Sequence, residues 1–457
     1  MKRIKYILIL LLCSLLVAFS VNAQELVTAK PEFTYDGKSL AEYAGIEGEP
    51  FLRGSSAYAM NLNTGTVVFE KNCYDTVFPA STTKLMTAIV AYENIPDLDV
   101  EITASASAVK KTAGANVRIE AGETYTAREL LYALLVSGAN DAALVLAEHV
   151  AGSEEEFCTL MNEKAKLIGA ESTHYDNVTG FHVDTMVTTA RDTGIIAQYF
   201  YYIPELFKMS DTTRYDESER LKRILVNRNL LLSRATTDEY YYSGADGMSV
   251  GSTPEGGQCI VSTVTGNDGQ IYLCVVMNSV EENNVNFAYK DIVAVFKYCL
   301  ENFSYQTIAS THEVVCEIKV NNAVDIDHIA LFPDRDIKML LPNNLDYNSE
   351  ISLEKRIFSE ETDAPVNRFD EFGELVVKYK GEVSVGHAKL VSDVSVDKSN
   401  VLYFFSRIEK IISGTWFVVF VVTAVILFAV YFGLSVYYKY FRKNKYTGNR
   451  PRNVRKR

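Results

Sequence analysis

The sequence predicts an α/β domain built on an antiparallel sheet, then a small all-β sandwich domain, then one C-terminal transmembrane helix. Three observations carry this. Strand-like runs stand at both ends of the stretch from Ser56 to Leu300 with helical periodicity between them, so the sheet is joined across the domain's termini. From about Thr307 to Val396 the pattern changes to short alternating runs separated by turn signals. Thr415 to Tyr438 is an uncharged run of 24 residues, enough to cross a hydrocarbon layer roughly 30 Å thick.

In chain order, residues 1–23 carry Lys2, Arg3 and Lys5, an apolar run from Tyr6 to Phe19, and Val21-Asn22-Ala23, the pattern of a cleaved secretory signal peptide. Residues 24–50 hold two prolines and several charges and read as an irregular leader. The first domain, 51–303, opens with a hairpin of Ser56–Met60 and Thr66–Glu70 joined through Asn61–Gly65. Pro79 then stands where a helix can begin, which places Ser81 and Lys84 one turn apart on one face. Leu85, Met86, Ala88, Ile89, Val90 and Ala91 make that helix apolar on most sides, so Lys84 is expected to be partly buried.

Thr126-Ala127-Arg128-Glu129 is a capping box for a helix with a Leu130, Leu131, Leu134 and Leu135 stripe. That helix ends at Ser137-Gly138-Ala139-Asn140-Asp141, and the apolar run Ala142–Val150 predicts a buried helix after the turn. Glu154–Ile168 is a third helix and Thr188–Asp192 opens a fourth. After Asn227-Arg228-Asn229-Leu230-Leu231 come Gly244–Ser252, the strands Gln258–Thr265 and Gln270–Asn278, and a closing helix over Tyr289–Leu300. With Asn267-Asp268 as a two-residue turn, Cys274 is expected opposite Val261.

Residues 304–398 read as the β-sandwich, a spacer or docking module, from Val314–Val320, Ile337–Leu341, Leu375–Tyr379 and Val383–Leu390. In 399–414, Val401, Leu402, Phe405, Ile408 and Ile412 recur at helical spacing, which predicts a juxtamembrane amphipathic helix before the span at 415–438. The tail 439–457 has nine basic residues and no acidic one. The positive-inside rule makes it cytoplasmic, the chain a single-pass protein of the cell membrane, and the rest extracellular.

With the nine basic residues of the tail and the three of the signal set aside, residues 24–414 carry a formal charge of −25. That excludes nucleic acid as an expected partner. Six cysteines follow the signal, without the spacing of a small stapled framework, and are expected as buried thiols. The six histidines show no metal-binding spacing, so no metal or other cofactor is implied.

A serine hydroxyl is a weak nucleophile until a neighbouring base takes its proton, and a desolvated lysine can be that base. Ser81 and Lys84 are therefore the candidate nucleophile and base. Around them, Pro79–Ala88, Leu130–Leu135, Asn140-Asp141-Ala142-Ala143, Met161–Ala165, Thr188–Asp192 and the trailing β domain resemble the low-molecular-weight penicillin-binding proteins, the serine D-alanyl-D-alanine carboxypeptidases. The resemblance implies a two-lobed penicillin-recognising, serine β-lactamase-like fold. It also implies an attack on the terminal D-alanyl-D-alanine bond of a peptidoglycan stem peptide, and an acyl-serine that β-lactams trap. It names Ser81, Lys84 and Asn140 as the catalytic set and Ser137, Gly138, Ser249, Gly251 and Ser252 as the substrate-binding set. The backbone N–H groups of Ser81 and Ser252 would form the oxyanion hole.

Two family motifs are altered. The second, Ser-x-Asn, reads Gly138-Ala139-Asn140 here, with its serine one place early at Ser137. The third, Lys-Thr-Gly, reads Ser249-Val250-Gly251. In the family these groups relay a proton to the leaving amine and secure the substrate's terminal carboxylate. Two functions follow: a membrane-anchored carboxypeptidase of altered strength, or a catalytically lapsed relative that binds the cell wall or acts as a scaffold.

Overall fold

The computed structural model describes residues 32–34, 37–216, 220–221, 223–344, 347–381 and 383–445. The expected signal peptide and residues 446–457 of the basic tail lie outside them. The described residues form two units, one running to Gln306 and including Lys338–Glu350, the other made of Thr307–Ile337 and the chain from Ile351 onward.

The first unit begins with α1 (Leu40–Ala44), β1 (Ser56–Asn61) and β2 (Val67–Lys71), and a 3-10 turn at Ala80–Thr83 leads into α2 (Lys84–Asn94). The helical lobe follows: β3 (Glu101–Thr103), α3 (Ala106–Lys111), β4 (Thr124–Thr126), α4 (Ala127–Ser137), α5 (Asn140–Ala151), α6 (Glu154–Leu167), α7 (Ala190–Tyr201) and α8 (Pro204–Asp211). Then come β5 (Arg214–Tyr215), β6 (Leu225–Val226), β7 (Ala245–Thr253), β8 (Gly257–Thr265), β9 (Ile271–Ser279), β10 (Glu281–Glu282), β11 (Val285–Asn286) and α9 (Phe287–Asn302).

Five strands form one antiparallel sheet in the order β2-β1-β9-β8-β7. The early strand β1 pairs with the late strand β9 from Ser56↔Met277 to Asn61↔Tyr272, which closes the domain across its ends. Every residue of β1 is buried. Gly194 of α7 sits so close to β1 that a Cβ there would lie 2.6 Å from the Tyr58 ring. The lobe's core runs through α2, α4 and α5, where Leu85, Met86, Ile89, Leu130, Leu131 and Leu146 are fully buried. Each such side chain contributes about 1.5–3 kcal/mol of transfer free energy. The Thr126–Glu129 capping box opens α4, and Gly138 in the left-handed conformation closes it.

Three expectations are corrected. The leader is not irregular throughout: Ser39 caps α1, Leu40 is buried, and the Glu32 carboxylate accepts from Tyr58 Oη and Arg191. The β8–β9 loop is longer than a two-residue turn, because Gly266 N–H bonds to Gln270 O and Thr265 pairs with Ile271. Cys274 therefore faces Ser262 rather than Val261. The Ser81 segment is a tight 3-10 turn, and only from Lys84 is the helix an α-helix. The six cysteines are free, five buried and Cys316 half-buried.

The following strands are β12 (Phe303–Ala309), β13 (Cys316–Asn321), β14 (His328–Pro333), β15 (Ile337–Pro342), β16 (Ile351–Ile357), β17 (Glu361–Asp363), β18 (Glu371–Tyr379) and β19 (Val383–Ser392), with the short α10 (Tyr347–Glu350) before β16. In the second unit six of them form one sheet, β16-β18-β19-β14-β13-β17, while β12 pairs with β15. Leu375, Val377, Tyr379, Ala388 and Leu390 form its buried core on β18 and β19, and the neighbouring Val376 and Val391 are covered as well. Its helices α11 (Asn400–Ser413) and α12 (Thr415–Lys445) bury no apolar side chain, and Thr415–Phe441 is long and apolar enough to cross a membrane.

Candidate active site

The tight turn is what brings Ser81 and Lys84 together. Thr82 Oγ1 donates to Pro79 O at 2.6 Å and Thr83 Oγ1 to Ala80 O at 2.8 Å, which winds the chain into 3-10 geometry. Lys84 Nζ then donates to Ser81 Oγ at 3.0 Å and to Thr179 O at 2.6 Å. Lys84 is only 3% exposed. Burial, and next the nearby Arg228 guanidinium, push its pKa down to about 7. A lysine that is partly neutral near pH 7 can take a proton from the hydroxyl it touches.

The acceptor Thr179 belongs to a loop that the sequence reading passed over. Asn177 Oδ1 accepts from the N–H groups of Thr179 and Gly180 at 3.1 and 2.8 Å, an Asx-type turn for which Asn177-Val178-Thr179-Gly180 was the available signal. Gly180 has φ +88°, and a Cβ there would overlap the Ala80 carbonyl. Only glycine lets this loop close on the Ser81 turn.

On the other side stands the edge strand β7. A Cβ on Gly251 would overlap Ser81 N and lie 2.7 Å from Ser81 Cβ, so β7 abuts the turn directly. Ser249 Oγ donates to Ser81 O at 3.3 Å and so braces the turn. Ser252, one place beyond Gly251, is exposed.

The second-motif residues are less closely gathered. Gly138 borders the Ser81 cleft, whereas Ser137 is the last residue of α4 and lines neither cleft at β7. Asn140 N and Nδ2 donate to Ala115 O and Ala113 O at 2.7 and 2.8 Å, and its buried Oδ1 has no partner. The neighbouring Asp141 carboxylate takes Val117 N–H and Ile119 N–H, so the start of α5 holds the 113–119 loop.

The cleft lined by Ser81, Lys84, Gly138, Arg228, Asn229 and Ser249 has a volume of about 20 Å³, room for about one water. A second cleft of about 100 Å³ lies beside β7 and is bordered by Gly251, Ser252, Gln258 and Tyr289. Arg228 and Val250 line both. Arg228, like Thr179, had no role in the sequence reading; its signal was a polar Asn-Arg-Asn triplet ahead of three leucines. Among the described residues, no group of three or more His, Cys, Asp or Glu side chains is placed to hold a metal ion.

The sequence model of the D-alanyl-D-alanine carboxypeptidase family matches residues 45–281. The D-alanyl-D-alanine carboxypeptidase DacF of Bacillus subtilis is 26% identical over 387 residues, covering 81% of this chain and 91% of that protein. A D-alanyl-D-alanine endopeptidase of Pseudomonas aeruginosa is 30% identical over 237 residues, 51% of this chain and 74% of that protein. Among solved structures, penicillin binding protein 5 of Haemophilus influenzae superposes with a TM-score of 0.58 at 21% identity, covering 77% of this chain and 99% of that one. A peptidoglycan synthesis regulatory factor of Streptococcus pneumoniae gives 0.59 at 22%, covering 76% and 100%. At these identities the two structures speak to the fold.

Proposed function

This chain belongs to the D-alanyl-D-alanine carboxypeptidase family, and from that premise we propose that it is a membrane-anchored serine carboxypeptidase acting on peptidoglycan stem peptides. The observation that carries this is the contact between Lys84 Nζ and Ser81 Oγ inside a buried turn. Lys84 takes the hydroxyl proton as Ser81 Oγ bonds to the carbonyl carbon of the penultimate D-alanine. The C–N bond then breaks, the proton passes to the departing D-alanine amine, and water later releases the acyl group from Ser81. Backbone N–H groups of Ser81 and Ser252 hold the developing oxyanion, a contribution typically worth about 3–4 kcal/mol. Gly138 has no hydroxyl for the proton relay and Ser137 lines neither cleft, so Lys84 carries that transfer. We assign Asn140 a positioning role, through the loop it ties at Ala113 and Ala115.

In this reading residues 51–303 are the catalytic domain and 304–398 a β-sandwich module that spaces the site from the membrane or docks a partner. The amphipathic helix at 399–414 lies in the interface, 415–438 spans the membrane, and the tail 439–457 is cytoplasmic. The second reading, a lapsed enzyme that binds wall or partner, is favoured by one feature, the cleft of about 20 Å³ over Ser81. A labelled β-lactam decides between them. Covalent labelling of the full chain that is lost in Ser81→Ala supports the enzyme, and no adduct at saturating dose rejects it.

A further inference from the structure

The Ser81 cleft holds a cation that this chemistry leaves without a task. The backbone of Arg228 is tied from several sides. Its N–H donates to Val136 O at 3.1 Å, and its carbonyl accepts from Tyr289 Oη at 3.2 Å. Asn227 Nδ2 donates to Ser210 O and Thr212 O at 2.8 and 2.9 Å, while its Oδ1 accepts Asn229 N–H at 2.9 Å. The Arg228 side chain lies against Gly138, where a Cβ would come 3.2 Å from Cδ and 3.4 Å from Nη1. Its position over the cleft is thus set by the fold, and the glycine at 138 makes the space for it.

Among the described residues no carboxylate is paired with Arg228, although Arg128, Arg191 and Arg220 each have one. An arginine beside a buried lysine is also a repulsive arrangement, which an arriving anion relieves. A second, uncharged donor faces the same cleft. Asn229 is 4% exposed and lines it, its Oδ1 accepts Leu231 N–H at 3.1 Å, and its Nδ2 has no partner.

We propose that Arg228, with the Asn229 amide beside it, receives the terminal carboxylate of the peptide that Ser81 attacks, taking over the task of the lysine absent at Ser249. The identity of that peptide rests on the function proposed above; the need for a carboxylate does not. The planar guanidinium suits a carboxylate through two parallel N–H···O bonds. Moving onto the carboxylate draws the side chain off Gly138 and widens the cleft. It also cancels the positive field at Lys84 as Ser81 must lose its proton, so recognition and basicity are coupled through one residue.

The test uses the full chain in detergent with Ser81→Ala, so that binding is read without turnover. An N-acyl-D-alanyl-D-alanine and its C-terminal amide are each titrated by NMR. With Arg228 present the acid is expected to bind tighter than the amide by on the order of 10- to 150-fold. The preference disappears with Arg228→Gln and returns in part with Arg228→Lys. A preference that survives Arg228→Gln, or an acid that binds no better than the amide while Arg228 is present, overturns the proposal; the second comparison needs no variant at 228. Acylation of Ser81 by a β-lactam is read separately. A carboxylate preference without an adduct keeps this inference and rejects the enzyme, and an adduct without the preference does the reverse.

Discussion

Lys84 Nζ lies 3.0 Å from Ser81 Oγ, and the same nitrogen is held by Thr179 O at 2.6 Å. The second contact fixes where the lysine points. The first gives it a proton to take, and burial makes it willing to do so near pH 7.

The rate of acylation of Ser81 is therefore expected to rise with pH and level off above about 7, because only neutral Lys84 accepts the proton. Stopped-flow acylation by a chromogenic β-lactam between pH 5.5 and 9 gives the profile. A rate that stays flat across this range would remove Lys84 as the base, and one still climbing tenfold per pH unit at pH 9 would contradict its lowered pKa.

The same shift has a stability consequence. Folding lowers the Lys84 pKa from its ordinary 10.5 to about 7, so between these values the unfolded chain binds more protons than the native one. Stability from this group then rises with pH across that window. Comparing thermal unfolding of wild type and Lys84→Met cancels the other titrating groups. The Tm difference, wild type minus variant, should grow in favour of wild type from pH 7 to 10, and a flat difference contradicts the shift.

Gly251→Ala places a methyl against Ser81 N and Ser81 Cβ, where neither strand nor turn can yield easily. We expect β7 to move off the turn, with a loss of about 1–3 kcal/mol in stability and of most acylation. Gly180→Ala should cost more, since it adds backbone strain at φ +88° to an overlap with Ala80 O. Denaturant unfolding and β-lactam labelling read both effects. Wild-type labelling in Gly251→Ala would show that the β7 contact is dispensable.

Restoring the family's third motif with Ser249→Lys and Val250→Thr should depend on what occupies position 228. With Arg228 in place the carboxylate already has its cation, so affinity for N-acyl-D-alanyl-D-alanine should rise less than about tenfold. In Arg228→Gln the same pair should restore roughly 10- to 150-fold. Equal gains in both backgrounds would mean that the two cations serve different groups.

Legibility followed the range of the signal. The capping box at Thr126–Glu129, the hairpin strands and the buried α5 were readable because each rests on residues a turn or a strand apart. The β8–β9 register was misplaced because a five-residue loop and a two-residue turn share the same Gly-Asn-Asp-Gly letters. Backbone hydrogen bonding between Gly266 and Gln270 chose the longer one. The leader looked irregular because Glu32 gains its meaning from Tyr58 and Arg191, far away in the chain.

The sequence by itself determined the family resemblance, the Ser81 and Lys84 pair, the altered motifs at Gly138 and Ser249, and the apolar helix from Thr415. All are local patterns, in which neighbouring residues carry both the spacing and the chemistry. Only the tertiary structure decided that Thr179 holds Lys84, that Gly180 and Gly251 must lack side chains, and that Arg228 fills the space Gly138 leaves open. Those residues come from separate stretches of the chain, and their proximity is a result of packing that no local periodicity encodes.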